Sequence, residues 1–238
     1  MWITRTLYVV SMMVANSMAD AGTIDISEQE PFEQCGYCHE YDGNSVMPNY
    51  PRLAGQQKSY LVKQLLDFKN GKRKGLMQAT AELLTEQDIN SVATYFSQQT
   101  ASSVNQNTSL ALDAFANVNN LFKKGDAKRG LIACASCHSA KIDKSRIDNS
   151  GIDNSRSDSA IPELFGQHEM YIAAQLISFK TGQRSNDQDG VMRSIAKKLT
   201  FPEIRNMAKL LSRFATVKND TSFVSNKTNN GNKGERKQ

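Results

Sequence analysis

Two copies of one five-residue pattern, Cys-x-x-Cys-His, place the strongest constraint on what this chain can be. The copies read Cys35-Gly36-Tyr37-Cys38-His39 and Cys134-Ala135-Ser136-Cys137-His138. Together they use all four cysteines of the chain and two of its three histidines. Disulfides within each copy would leave the two adjacent histidines unexplained. The spacing therefore indicates that each pair of cysteines acts together with the histidine that follows it.

Covalent attachment of haem is the chemistry that needs this spacing. Two thiols separated by two residues can bond to the two vinyl groups along one porphyrin edge, and the next residue then holds its imidazole beneath the iron. The other ring nitrogen is expected to donate to a backbone carbonyl, which fixes the tautomer. We therefore predict two covalently bound haem c groups. The predicted attachment residues are Cys35, Cys38, Cys134 and Cys137, and the predicted histidine ligands of iron are His39 and His138.

Two other kinds of site use the same residue types. A zinc site takes cysteine and histidine ligands, but the two copies lie about a hundred residues apart. A redox-active Cys-x-x-Cys needs only the cysteines and usually accompanies a βαβ pattern, which is missing around both pairs. The doubling of the complete motif favours haem over either alternative.

The two halves of the chain remain similar beyond the cysteines. Both contain Pro-x-Leu-x-Gly-Gln, starting at Pro51 and at Pro162, followed by a Tyr, Gln-Leu-x-x-Phe-Lys, a Gly and an Arg. The apolar spacing predicts amphipathic helices that end near Gly71 and Gly182. A further helix in each half follows Thr85 or Thr200, where Thr200 and Glu203 fit a capping box. We predict an all-α protein of two tandem domains related by internal duplication.

A sixth iron ligand is expected from a methionine in each half. The candidates in the mature chain are Met47, Met77, Met170, Met192 and Met207. Aligning the repeats places Met77 opposite Met192, each seven residues before a Leu-Thr pair and each in a polar, glycine-containing stretch predicted as a loop. A thioether opposite imidazole favours ferrous iron, and two filled axial positions favour electron transfer over catalysis. We predict Met77 and Met192 as the axial ligands.

Two arginines and one histidine also stand out in the sequence, but they are not predicted as iron ligands. Arg73 and Arg184 match each other and can meet haem propionates or a partner, although a solvated cation after a helix is an equally good interpretation. His168, the third histidine, aligns with Gln57 and is expected to be an ordinary surface residue.

The chain ends and the low-complexity stretches define the expected domain organisation. Residues 1–19 resemble an export signal, with Arg5, a short apolar core and Ser17-Met18-Ala19 at the cleavage positions; an uncleaved membrane anchor is the alternative. The expected divisions are a signal peptide at 1–19, a first domain at 20–100, a linker at 101–121, a second domain at 122–217 with a polar insertion at 141–159, and a disordered basic tail at 218–238.

The net charge of +5 owes much to this tail, because Arg5 is lost with the signal and the folded remainder is near neutral. A basic groove for nucleic acid is therefore not expected.

Taken together, both Cys-x-x-Cys-His motifs, both Pro-x-Leu-x-Gly-Gln stretches and the two repeated methionines resemble the diheme class I c-type cytochromes of the cytochrome c4 type. The resemblance implies two class I cytochrome c-like haem domains packed about a pseudo-twofold axis, a periplasmic location and electron delivery toward a terminal oxidase or similar acceptor. It also implies that Pro51 and Pro162 lie on the histidine side of each haem, where their carbonyls can accept. One departure is Pro31, which stands where Gly130 aligns, so the first helix is expected to begin near Pro31.

The function predicted from the sequence is that of an electron carrier and not an enzyme. Its expected partners are redox proteins, such as a membrane respiratory complex or a terminal oxidase, with no nucleic acid and no small-molecule substrate. The alternative is a haem-containing enzyme or enzyme subunit, either a diheme peroxidase or the cytochrome subunit of a dehydrogenase.

Overall fold

The computed structural model describes residues 30–102, 115–138 and 160–213. The predicted signal peptide, the insertion at 141–159 and the tail at 218–238 lie outside the described residues. Within the described ranges the secondary structure is helical, and the one β-type pairing is an isolated bridge between Asp126 and Leu131. The expectation of an all-α protein is confirmed.

Nine α-helices form the described part of the chain. The first half contains α1 (Pro31–His39), α2 (Lys58–Lys69), α3 (Met77–Leu83) and α4 (Glu86–Gln98). The second half contains α5 (Ala116–Lys124), α6 (Ala135–His138), α7 (Glu169–Thr181), α8 (Val191–Lys198) and α9 (Phe201–Arg213). Two short 3₁₀ turns, Ala127–Arg129 and Gln188–Gly190, precede α6 and α8.

Helix boundaries follow the local signals in the sequence. Helix α1 begins at Pro31 as expected, and α7 ends at Gly182, whose φ of 79° is the left-handed conformation that glycine adopts readily. The predicted capping box forms, since Thr200 accepts from the backbone N–H of Glu203 (3.3 Å). An equivalent box forms in the first half, where Thr85 accepts from the backbone N–H of Asp88 (3.1 Å). These bonds satisfy N–H groups that have no partner inside a helix.

The duplication is visible in matched tertiary hydrogen bonds. The N–H of Gly55 donates to the carbonyl of Phe96 (2.9 Å), and that of Gly166 donates to the carbonyl of Leu211 (3.0 Å). These two bonds join the end of the Pro-x-Leu-x-Gly stretch to the last helix of each half. Equivalent residues thus make equivalent contacts, which confirms the predicted internal duplication.

Each half has its own hydrophobic core. Helices α2 and α4 supply the small first core, which consists of Leu61, Val92, Ala93 and Phe96. The larger second core is built mainly on α5, α7 and α9. Helix α5 contributes Val118, Leu121 and Phe122 and begins within the stretch predicted as a linker.

Met77 and Met192 do not lie in loops, so that prediction was wrong. Met77 is the first residue of α3, and Met192 is the second residue of α8. Each helix has a single buried residue, Ala81 in α3 and Ala196 in α8. A helix with one buried position shows no helical repeat of apolar residues in its sequence. The polar residues of both helices therefore resemble those of a loop.

Candidate haem-binding site

A cavity of about 1560 Å³ is lined by residues from both halves of the molecule. It exceeds the roughly 300–1000 Å³ of a typical small-molecule site, so it can hold more than one bulky group. The predicted site residues that line it are Cys35, His39, Met77, Cys134, Cys137, His138 and Met192. Of the predicted residues, Cys38 alone is not among those lining the cavity. The fold therefore brings together the motifs of both repeats.

Helix geometry places the residues of each motif on one side. Cys35, Cys38 and His39 lie at positions i, i+3 and i+4 of α1, which share a helix face. Cys134 stands just before α6, which contains Cys137 and His138. No disulfide joins any of the four cysteines. Burial raises the pKa of the Cys35 and Cys134 thiols to about 11, which is unlike the lowered pKa of a reactive redox thiol.

Both motif histidines are oriented by a backbone carbonyl. His39 Nδ1 lies 2.8 Å from the carbonyl oxygen of Pro51, and His138 Nδ1 lies 3.0 Å from that of Pro162. A carbonyl only accepts, so Nδ1 carries the proton and Nε2 keeps its lone pair. Burial lowers the pKa of both imidazoles, although the proline carbonyls oppose this, and the neutral form that can bind a metal is favoured.

Helices α3 and α8, which contain Met77 and Met192 and are called the methionine helices below, are held in the same way at their C-terminal ends. Lys69 donates to the carbonyl of Leu84 (2.7 Å), and Lys180 donates to that of Leu199 (2.7 Å).

The other candidate methionines are placed differently. Met47 is exposed and away from the cavity, Met170 lines it but is largely exposed, and Met207 lines it as part of the second core.

The walls of the cavity are mostly apolar. The first half contributes Leu61, Leu65, Phe68, Val92 and Phe96, and the second contributes Ile172, Leu176, Phe179, Leu199 and Leu211. Large flat apolar groups gain free energy from such surroundings because burial removes their surface from water. Porphyrin rings fit this lining.

Arg73 and Arg184 are not solvated cations, so that interpretation of them was wrong. They are only 7% and 9% exposed and line the same cavity. Each guanidinium lies 4.5 Å from the centre of an aromatic ring, that of Phe68 or Phe179. Among the described residues, neither has a carboxylate within 4.0 Å. A buried cation needs a counter-charge, and the propionate carboxylates of haem fit this need.

Two glutamines that were not predicted to have a role join the two domains. Gln56 donates to the backbone carbonyl of Glu163 (3.1 Å) and accepts from its N–H (2.9 Å). Gln167 makes the same pair of bonds with the backbone of Arg52 (3.0 and 2.9 Å). Both glutamines end the Pro-x-Leu-x-Gly-Gln stretch, and their repetition in both copies was the signal that could have revealed them.

His168 also reaches across the interface, so the expectation of an ordinary surface histidine was wrong. Its Nε2 lies 2.8 Å from the backbone carbonyl of Ser45, and the residue is half-buried. The aligned Gln57 also faces the opposite domain, where its side-chain amide lies 3.4 Å from the Glu163 carboxylate. The repeat thus places a polar side chain at the interface in each half.

No group of three or more His, Cys, Asp or Glu side chains that could hold a metal ion occurs in the part of the chain that is described. The zinc alternative therefore gains no support from the arrangement of these ligands. Over the same residues, no helix is long and apolar enough to cross a bilayer.

Comparison with known proteins identifies relatives over most of the chain, although no family model matches it. The chain is 40% identical to cytochrome c4 of Pseudomonas aeruginosa over 172 residues, which are 71% of this chain and 78% of that protein. It is 31% identical over 180 residues to the thiosulfate dehydrogenase electron acceptor of Thiomonas intermedia, covering 75% of this chain and 77% of that protein.

A solved structure has the same architecture. The crystal structure of reduced recombinant cytochrome c4 from Pseudomonas stutzeri matches with a TM-score of 0.64 and 35% identity, over 78% of this chain and 97% of that one. The duplicated helical domains, the two motifs and these relatives agree. The chain is a diheme electron-transfer protein with two class I cytochrome c-like domains and two covalently bound haem c groups, and it belongs to the cytochrome c4 family.

Proposed function

We propose that each domain holds one haem c through its own motif and its own methionine. The attachment residues are Cys35 and Cys38 in the first domain and Cys134 and Cys137 in the second; the axial iron ligands are His39 with Met77 and His138 with Met192. The proposed domains are residues 20–100 and 122–217, and the residues of α5 before position 122 pack into the core of the second domain. The observation that carries the proposal is that both histidines and both methionines line one cavity, with one histidine and one methionine contributed by each repeat.

The side chains of this site prepare two iron positions for electron transfer. The carbonyls of Pro51 and Pro162 hold the imidazoles in the tautomer that binds a metal. Thioethers on the opposite side favour the reduced state of iron. When bound, the haem iron supplies reversible one-electron chemistry. Since side chains fill both axial positions in this scheme, substrate has no coordination site, and the protein is a carrier and not an enzyme.

The proposed place of work is the periplasm, with the signal peptide at residues 1–19 cleaved near Ala19. The proposed partners are redox proteins, in particular a membrane respiratory complex or terminal oxidase as acceptor. A second candidate partner comes from the relative in Thiomonas intermedia, whose name describes an electron acceptor of thiosulfate dehydrogenase. Each partner is tested separately: reduction of the oxidised protein by purified thiosulfate dehydrogenase in the presence of thiosulfate tests the donor, and oxidation of the reduced protein by a purified terminal oxidase tests the acceptor.

Visible spectroscopy with haem quantified per chain tests the ligand set. We expect two haems per chain and a methionine–iron charge-transfer band in the oxidised protein. Met77→Ala and Met192→Ala are each expected to remove about half of that band. Fewer than two haems, or a band unchanged by either substitution, would contradict the proposed ligands.

The enzymatic alternative makes a different prediction. A peroxidase or similar enzyme needs one iron with an open or readily displaced ligand. Ready binding of carbon monoxide to the reduced protein at neutral pH would favour that alternative over a carrier.

A further inference from the structure

The two methionine helices differ at their N-terminal ends, where the methionines lie. Met77 comes four residues after the buried Arg73, but Met192 comes eight residues after the equivalent Arg184. The second domain therefore has four additional residues in this connection. We call residues 186–189 the inserted turn. Its residue Asp189 has a φ of 53°, a conformation that non-glycine residues adopt only when the surroundings hold it.

Asp187, in the inserted turn, fixes the first turn of α8. Its side chain is 4% exposed. One carboxylate oxygen accepts from the backbone N–H of Arg193 (2.9 Å), and the other accepts from the guanidinium Nε of the same residue (2.8 Å). The N–H of Arg193 is one of the first-turn groups that have no partner within a helix. Asp187 thus caps the helix at the residue next to Met192.

Asn186 attaches the same turn to the first domain. Its side-chain amide donates to the carboxylate of Asp67 (2.6 Å) and to the side-chain oxygen of Gln64 (3.1 Å), both on α2. Its backbone carbonyl accepts from Lys63 (2.7 Å), on the same helix. Asp67 is itself buried and paired with Lys63. The inserted turn is therefore held by both domains.

Helix α3 has no equivalent support at its methionine end. Leu76, which precedes Met77, is 89% exposed. The backbone N–H of Gln78 bonds only locally, to the carbonyl of Gly75 (3.0 Å). Within the described residues, no side chain accepts from the first turn of α3. The difference is confined to this end, because lysines hold the C-terminal ends of both helices in the same way.

We propose that the inserted turn clamps Met192 against its iron, so that an external ligand displaces Met192 more slowly than Met77. Asp187 is the positioning residue of this clamp. In this scheme Met192 would leave the iron as the first turn of α8 moves outward, a movement that would break the bonds of Arg193 to Asp187. The same movement of Met77 breaks no side-chain cap. The inference rests on the proposed ligation of iron by Met77 and Met192.

Displacement by imidazole in single-methionine proteins tests the clamp. In oxidised Met77→Ala protein the charge-transfer band reports Met192 alone, and in Met192→Ala protein it reports Met77 alone. The decay rate of the band after imidazole is added measures methionine release. We expect release of Met192 to be about tenfold slower than release of Met77, since a helix cap stabilises a first turn to that extent.

Substitution of Asp187 in the Met77→Ala background completes the test. Asp187→Ala is expected to accelerate release of Met192 about tenfold. Asp187→Asn keeps an oxygen that can accept from the Arg193 N–H but loses the ion pair. Its rate of Met192 release is therefore expected to lie between that of the Met77→Ala parent and that of the Asp187→Ala variant. The control is Thr85→Ala in the same background, which removes the cap of α4 in the other domain and is expected to change the rate less than about twofold.

The outcomes separate the clamp from the proposed ligand set. Equal release rates for the two methionines, or an Asp187→Ala rate equal to that of its parent, would overturn the clamp while leaving the ligation intact. If Asp187→Ala does not incorporate haem, a rate for Asp187→Asn equal to that of its parent would overturn it in the same way. If Met77→Ala protein has no charge-transfer band at all, ligation by Met192 fails, and with it that part of the proposed function.

Discussion

Arg73 and Arg184, which come from different domains, donate hydrogen bonds to the same side-chain oxygen, Oε1 of Gln64 (2.7 and 2.8 Å). They also share Oε1 of Gln175, at 2.8 and 2.6 Å. The neutral side-chain amides of Gln64 and Gln175 thus bridge the two buried guanidinium groups. Because like charges repel and burial weakens solvation, this arrangement needs negative charge nearby. The buried Asp67 carboxylate, which interacts electrostatically with Arg73, supplies part of it, and the pair also lies on the cavity that we assign to haem.

Replacing either arginine is expected to lower the reduction potentials. Arg73→Gln and Arg184→Gln each remove a positive charge beside the cavity, and positive charge favours the ferrous state because it offsets the added electron. The expected shift is on the order of tens of millivolts toward lower potential. Spectroelectrochemical titration measures it. Arg129→Gln is the control, since Arg129 is exposed and paired with Asp126 and Glu203; an equal shift there would contradict a local effect.

Two glycines in the first domain should respond differently to alanine. Both have positive φ, 74° at Gly43 and 66° at Gly71, which costs an alanine about 1 kcal/mol. A Cβ at Gly43 would lie 2.7 Å from the backbone nitrogen of Ala54 and 2.8 Å from the Phe96 ring, whereas one at Gly71 meets nothing within 4 Å. We expect Gly43→Ala to lower the free energy of unfolding by about 3 kcal/mol and Gly71→Ala by about 1 kcal/mol.

Denaturant titration of the holoprotein measures both glycine variants. The comparison holds the backbone conformation nearly constant and changes only the space available for a methyl group. Equal losses of stability would show that Gly43 is required for its φ alone and that its surroundings can yield.

The protein without haem is not expected to unfold cooperatively. The first core contains only four buried residues, and the 1560 Å³ cavity separates it from the second. Apolar walls of that extent cannot stay in place around unfilled space, since small domains bury little surface to begin with. A variant with all four cysteines replaced by alanine and produced without haem tests this by circular dichroism during heating. A sharp, native-like transition would contradict it.

The residues proposed for the site were easier to identify in the sequence than the residues around them. Cys-x-x-Cys-His fixes its own geometry, because positions i, i+3 and i+4 share a helix face, and the repeat alone singled out Met77 and Met192. The helices that carry the methionines were missed because each buries one alanine, too little to show a period.

The interface between the domains was missed for another reason. Gln56, Gln167, Arg73 and Arg184 look like solvated polar residues in any single helix or loop. Their partners lie about a hundred residues away in the opposite repeat, and no local periodicity records a contact between two domains. Polar residues repeated identically in both halves were the available signal.

His168 should give the interface a measurable pH dependence. It is the one histidine not proposed as an iron ligand, and its Nε2 lies 2.8 Å from the carbonyl of Ser45 in the other domain. Burial lowers the pKa of His168 below 6.5; the bond to Ser45 opposes this, and the positive charge of Arg52 adds to the lowering. The folded protein therefore binds this proton less readily than the unfolded chain does. The corresponding stability is complete above the unfolded pKa of about 6.5 and is lost as the pH falls through the folded value.

His168→Gln isolates this contribution. A glutamine amide can still donate to Ser45 but does not titrate, and Gln57 already occupies the corresponding position in the first domain. Carboxylates and other groups titrate alike in both proteins, so their effects cancel when the two are compared. We expect the free energy of unfolding to fall less between about pH 7.5 and pH 5 in the variant than in the wild type. Denaturant titrations of both holoproteins at the two pH values measure the difference. Parallel losses would mean that His168 keeps an ordinary pKa in the folded protein and that its contact with Ser45 tolerates the charge.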